Sequence, residues 1–166
     1  MYTRATTCCF SGHRPEKLPW GGNEKDPRCL NLKARLEDAV ETAIAKGYRH
    51  FVVGMAAGVD LYCCEIVLSL RRRYPITLEA AVPCRTQAQR WAPSTRLRYE
   101  KLLSLCDRVT VLQEQYDSGC MMRRNRYMVD HASLLIAVYD GGYGGTRNTV
   151  EYAMANRVEV VFIPPV

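Results

Sequence analysis

The sequence has no apolar run approaching the about 20 residues that a membrane helix needs, so neither a spanning helix nor a membrane partner is expected. It has few histidines (His13, His50 and His131, widely scattered) and no Cys-x-x-Cys pair. A zinc site normally brings paired ligands at short spacing, so no metal is expected. Internal repeats, low-complexity segments and long linkers are also missing, which argues against a repeat array and against several domains. The opening Met1-Tyr2-Thr3-Arg4-Ala5-Thr6 carries a basic residue but no long apolar stretch, so no signal peptide is expected. Lysine is scarce, at 5 against 18 arginines.

What remains is ordinary for a soluble globular chain: 166 residues, 48% apolar and 24% charged. That composition excludes a disordered or collagen-like chain, and the length predicts one domain over 1–166. The eight cysteines, at 8, 9, 29, 63, 64, 84, 106 and 120, include two adjacent pairs and mostly sit in apolar runs. There cysteine packs as a small hydrophobe, which predicts free thiols and a reducing, cytoplasmic location. The net charge is +6 and the pI about 9.0. Arginine supplies planar, bidentate donors suited to phosphate. An anionic ligand fits this balance: a nucleotide, a nucleic acid or a phosphorylated metabolite. A merely basic, soluble surface fits it equally.

Along the chain, strand and helix signals alternate. Strands are predicted over 5–10, 50–53, 76–82, 108–112, 133–139 and 158–163. Helices are predicted over 30–46, 59–73, 119–131 and 146–156, and over 84–105 as one helix or two pieces parted at Pro93. Continuous apolar strands alternating with helices imply a mainly parallel sheet covered on both faces, a Rossmann-like doubly wound α/β fold. In such sheets ligands bind outside the carboxyl ends of the strands, and the unusual residues of this sequence follow strands.

Asp140-Gly141-Gly142-Tyr143-Gly144-Gly145-Thr146 is the strongest local signal. Its glycines permit close backbone approach, and the helix that follows offers free amides and a positive end to an anion. Thr146 is expected as its N-cap. No Gly-Lys-Ser/Thr follows, so it is not a Walker A loop. Gly54-Met55-Ala56-Ala57-Gly58-Val59-Asp60 is a second such turn, with Asp60 in the first helical turn, where it meets the helix dipole. It lacks the Gly-x-Gly-x-x-Gly spacing of a dinucleotide site. Ser11-Gly12-His13-Arg14-Pro15 sets an imidazole beside an arginine after the first strand, where His13 suits acid–base work or hydrogen bonding to a sugar or base. Arg123-Arg124-Asn125-Arg126 is a basic helical run in which Arg123 and Arg126 share a face; phosphate contact and a solvated helix end are about equally good readings. Trp20, Tyr127 and Tyr143 are aromatic candidates for stacking on a base, though packing is the simpler reading of each.

Together these motifs resemble the YpsA/YoqJ-like family of the SLOG superfamily, which is related to DprA and to the LOG phosphoribohydrolases. The opening Cys9-Phe10-Ser11-Gly12-His13-Arg14-Pro15-Glu16-Lys17-Leu18 resembles the start of that family. Gly54–Asp60 and Arg123–Arg126 resemble two motifs of DprA, and Gly141–Thr146 resembles the phosphate loop of the superfamily. The resemblance covers nearly the whole chain. It implies a Rossmann-like fold binding a nucleotide-derived, ADP-ribose-like ligand. The expected contacts are Ser11, Gly12, His13, Arg14, Gly54, Gly58, Asp60, Arg123, Asn125, Arg126, Gly141, Gly142, Gly144, Gly145 and Thr146.

No cofactor is expected. Single-stranded nucleic-acid binding, as in DprA, is the alternative, and self-association into a homo-oligomer is left open. LOG enzymes carry a glutamate three residues after the Gly-Thr pair. Here that position is Thr149, with Glu151 two residues on. N-glycosidic cleavage, which needs a carboxylate near the anomeric carbon, therefore ranks below binding. Asp60, Glu151 and Asp140 are its candidate carboxylates, with His13 as a further candidate catalytic group.

Overall fold

The computed structural model describes residues 2–166. The strands are β1 (Thr7–Ser11), β2 (His50–Val53), β3 (Thr77–Val82), β4 (Arg108–Val111), β5 (Leu134–Val138) and β6 (Glu159–Ile163). The helices are α1 (Pro27–Ala45), α2 (Val59–Leu70), α3 (Pro93–Leu105), α4 (Cys120–Asp130) and α5 (Gly145–Ala155). The strands form one six-stranded sheet in the order β4-β3-β2-β1-β5-β6. Every pairing is parallel, as the β1–β2 register Cys8↔Phe51 and the β1–β5 register Cys9↔Leu135 illustrate.

Side chains alternate across a strand, and here both faces are apolar. Cys8, Phe10, Phe51, Val53, Leu78 and Ile136 pack with Leu32 and Leu36 of α1, Leu61 of α2 and Leu102 of α3. Cys9, Val52, Ala81, Leu135 and Ala137 pack on the other face, with Met128 of α4 and Val150 of α5. The sheet is thus doubly wound, α1–α3 on one side and α4–α5 on the other. A fully buried Leu or Phe stabilises by roughly 1.5–3 kcal/mol, so these two layers supply the bulk of the folding free energy. All eight cysteines are free, and seven are buried. Among the described residues no helix is long and apolar enough to cross a membrane.

The order of strands reverses at β1. The chain steps from β1 outward to β4, then returns to place β5 on the other side of β1. The carboxyl ends of β1 and β5 therefore open a crevice, the usual ligand position in such sheets.

Two expectations are corrected. Residues 84–92 form successive turns, not a helix, with Gln87, Gln89 and Trp91 amides bonded to the carbonyls three residues back. Pro93, which lacks an amide, suits the first helical position and starts α3. The N-cap of α5 is Gly144 rather than Thr146, because φ 137° at this residue is open to glycine.

Candidate functional site

The loop after β1 and the start of α2 interlock. A Cβ on Gly12 would lie 2.4 Å from Val59 Cγ1, and one on Gly58 would lie 2.6 Å from the His13 carbonyl oxygen. Gly58 also holds φ 91°, where any side chain is strained. The Val59 amide donates to His13 O at 3.2 Å. This packing fixes His13 and Arg14 against the second glycine turn. Within that turn Met55, fully buried, takes φ 62°. Strained backbone of this kind persists only where the surroundings over-determine it.

A cavity of about 340 Å³ opens at this point. Ser11, Gly12, His13, Arg14, Lys17, Asp60, Arg124, Asn125, Gly145 and Thr146 are among its lining residues. Two buried ionisable groups face it from different elements. Asp60 of α2 is 6% exposed, and its Oδ2 accepts from the Ala56 amide at 3.1 Å. Burial pushes its carboxyl above the usual range, against the pull of Arg124 and the Ala56 amide. Arg124 of α4 is 4% exposed and donates to the Gly54 carbonyl and, at 2.8 Å, to Asn125 Oδ1. Burial lowers its guanidinium below the ordinary value, opposed by Asp60. The two attract one another, yet they form no ion pair within 4 Å.

His13 stands at the same wall. It is buried, and among the described residues its Nε2 finds no hydrogen-bond partner. Asp140 Oδ1 lies 3.5 Å away. The Gly142 amide, donating at 2.8 Å, and the His13 ring hold the Asp140 carboxyl below its usual range. At the start of α5 no described side chain caps the first amides, which leaves them available to an anion. Lys17 reaches this loop: a Cβ on Gly144 would meet its Nζ at 2.7 Å.

The structure does not gather every candidate. Arg123 points outward to Gln113 and Asp117. Arg126 lies over the Tyr152 ring, 5.2 Å from its centroid. Of the three arginines in this run, the one facing the cavity is Arg124. Glu151 is exposed and paired with Arg147 at 2.9 Å. Gly54 and Gly58 shape the floor without lining it; a Cβ on Gly54 would strike the Arg124 guanidinium at 2.6 Å. Gly141 and Gly142 are exposed, and neither they nor Gly144 line the cavity. Trp20 is core, donating to the Tyr62 hydroxyl at 3.2 Å. Tyr127 bonds Glu79, and Tyr143 is exposed beneath Arg147. Sequence reading overlooked Lys17 and the particular role of Arg124. The apolar spacing of Cys120 and Met128 puts position 124 on the same buried stripe of α4, and this was the available signal. Among the described residues no cluster of three or more His, Cys, Asp or Glu could hold a metal ion.

Comparison with known proteins agrees with this fold. The family model described as the YspA SLOG family (YpsA) matches residues 8–160, and the chain belongs to that family. An uncharacterized SPbeta prophage-derived protein of Bacillus subtilis, YoqJ, is 32% identical over 143 residues, covering 78% of this chain and 84% of its own. Among solved structures, DNA processing protein A of Helicobacter pylori, described for its single-stranded DNA binding mode, superimposes with a TM-score of 0.65 at 15% identity. The match covers 98% of this chain and 66% of that one. DprA of Streptococcus pneumoniae superimposes with a TM-score of 0.64 at 16% identity, over 96% of this chain and 50% of its own. At these identities the likeness is one of fold.

Proposed function

We propose that this member of the YpsA SLOG family binds a nucleotide or nucleotide-derived, ADP-ribose-like molecule in the crevice at the carboxyl ends of β1 and β5. The observation that carries the reading is the convergence of Arg14, Lys17 and buried Arg124 on the same cavity as the uncapped start of α5. Phosphate is held at Gly145 and Thr146, where helix amides and three cations meet it. Asp60 and Asn125 accept and donate hydrogen bonds to the sugar hydroxyls, and the unpaired Nε2 of His13 finds its partner there. Buried polar groups normally have partners, and the ligand supplies those this cavity lacks.

A thermal-shift panel of AMP, ADP and ADP-ribose tests the proposal. A ligand at 100 times its Kd should add about 2.7 kcal/mol of stability. No shift with any of the three at millimolar concentration contradicts it. Tight oligonucleotide binding, weakening by about 0.7 log units per log salt for each phosphate contact, would instead favour single-stranded nucleic acid as the ligand.

A hydrolytic reading has one observation in its favour. Of the three carboxylates weighed, Asp60 lines the cavity, and burial raises its carboxyl toward the protonated form, which suits a general acid. Incubation with nucleoside monophosphates and chromatography for free base checks this. Release abolished in Asp60→Asn would support it, and absence of release would leave binding alone.

A further inference from the structure

A second cavity, of about 550 Å³, adjoins the first. The two share Arg14, Glu16 and Met121 in their walls, so they are compartments of one cleft. Its far wall is the turn segment 84–92, which the proposal above does not use. This segment is pinned: the Arg85 amide donates to the Gln113 carbonyl at 3.1 Å, beyond the end of β4, and Ala88 is buried in the core.

Gln87 is the unusual residue of that wall. It is only 9% exposed, and among the described residues neither Nε2 nor Oε1 of its amide has a hydrogen-bond partner. The nearby Tyr99 hydroxyl feels the amide but makes no well-formed hydrogen bond with it. An amide with both donor and acceptor unpaired in a buried position is costly and rare. Four residues further along the chain is Trp91, half-buried, lining the same cavity and packed edge-on against Tyr99 at 5.2 Å. Tyr116, 65% exposed, lines the cavity as well.

We infer that this second cavity is a base-binding compartment, in which the Gln87 amide pairs with the donor–acceptor edge of a nucleobase and Trp91 supports its ring. The inference rests on the nucleotide reading of the first cavity and adds where the base lies and what recognises it. A glutamine amide matches an amino group beside a ring nitrogen, as adenine presents. An aromatic side chain offers a face to any base. The shared wall at Arg14 and Glu16 is where the sugar turns from one compartment into the other.

Ribose 5-phosphate carries an anomeric hydroxyl where AMP carries its base, so calorimetry with this pair isolates the compartment. The expected result is that AMP binds at least about tenfold more tightly than ribose 5-phosphate. Gln87→Leu should remove about tenfold of that advantage, leaving ribose 5-phosphate binding unchanged, because a site built for hydrogen bonds loses most when one partner is absent. Fluorescence supplies a check that needs no variant at position 87. Trp20 is buried and bonded to Tyr62, so AMP should quench emission through Trp91, and ribose 5-phosphate should not. Equal affinity for the two ligands, or an AMP advantage untouched by Gln87→Leu and unaccompanied by quenching, overturns the base compartment while leaving the phosphate site standing. Failure of both ligands to bind the wild-type protein overturns both.

Discussion

Two buried carboxylates in this protein live under opposite conditions. Glu79 of β3 and Asp60 of α2 are 4% and 6% exposed. Glu79 is saturated: His50 Nε2 lies 2.9 Å from one oxygen, and the Thr110 and Tyr127 hydroxyls donate to the other at 2.8 and 2.7 Å. His50 is itself held by Thr77 at 2.7 Å. Despite burial, these donors hold the Glu79 carboxyl at about 2. Asp60 has one amide and an arginine it does not touch, and burial wins, moving its carboxyl upward. Burying a charge is tolerated when it is fully paired. Glu79 meets that condition within the fold and ties β2, β3, β4 and α4 together. Asp60 does not meet it alone, and His13 in the same cavity and Gln87 in the adjoining one also lack hydrogen-bond partners. The deficits collect in one cleft, at the strand ends where open parallel sheets usually take their ligands.

The comparison can be broken most forcefully at Glu79. Glu79→Ala strands His50, Thr110 and Tyr127, and should cost about 3–5 kcal/mol in denaturant unfolding, the usual penalty for breaking a buried pair. Next comes the packing that builds the cleft. Gly58→Ala puts a methyl group against His13 O at a positive φ and should cost roughly 1–3 kcal/mol, with loss of ligand binding. Asp60→Asn should change stability by less than about 1 kcal/mol, since the amide oxygen still accepts from Ala56, yet it should weaken nucleotide binding about tenfold, the worth of one good hydrogen bond. A loss at Asp60 as large as that at Glu79 would erase the distinction.

Proton linkage sharpens the contrast by its sign. The folded value of Glu79, about 2, lies below its ordinary 4.5, so its contribution, of order 3 kcal/mol, is present above pH 4.5. It is lost as pH falls toward 2. Asp60 is shifted upward, so its ionisation opposes folding above its ordinary value of 3.8, and this penalty fades as pH falls toward that value. Measured against pH, the stability advantage of wild type over Glu79→Gln should shrink in acid. The wild type should instead gain relative to Asp60→Asn. Parallel slopes for the two variants would show that their environments do not differ.

Much of the scaffold was legible because fully buried parallel strands read as unbroken apolar runs; Leu134–Val138 is one. The glycine turns marked strand ends because close approach and positive φ demand glycine, as at Gly58 and Gly144. The 84–92 segment misled because Cys84, Ala88 and Trp91 mimic a helical stripe while in fact packing as successive turns. Arg124 was hard to single out because three guanidinium groups in four positions look alike until the buried stripe of α4 is traced through Cys120 and Met128. Gln87 and Lys17 carry no pattern of their own. Their roles depend on loops brought together across the sheet. The Glu79 network is likewise a matter of strand register, Val52↔Glu79 and Glu79↔Arg108, which no local spacing encodes.

Whether a nucleotide completes the unpartnered polar groups of the cleft is tested most directly by a crystal structure of the protein grown with AMP. The phosphate is expected at the Gly145 and Thr146 amides, with a sugar hydroxyl within hydrogen-bond distance of Asp60 or His13. A phosphate bound elsewhere, or a cleft that stays empty at millimolar AMP with Asp60 and His13 paired only to water, would contradict it.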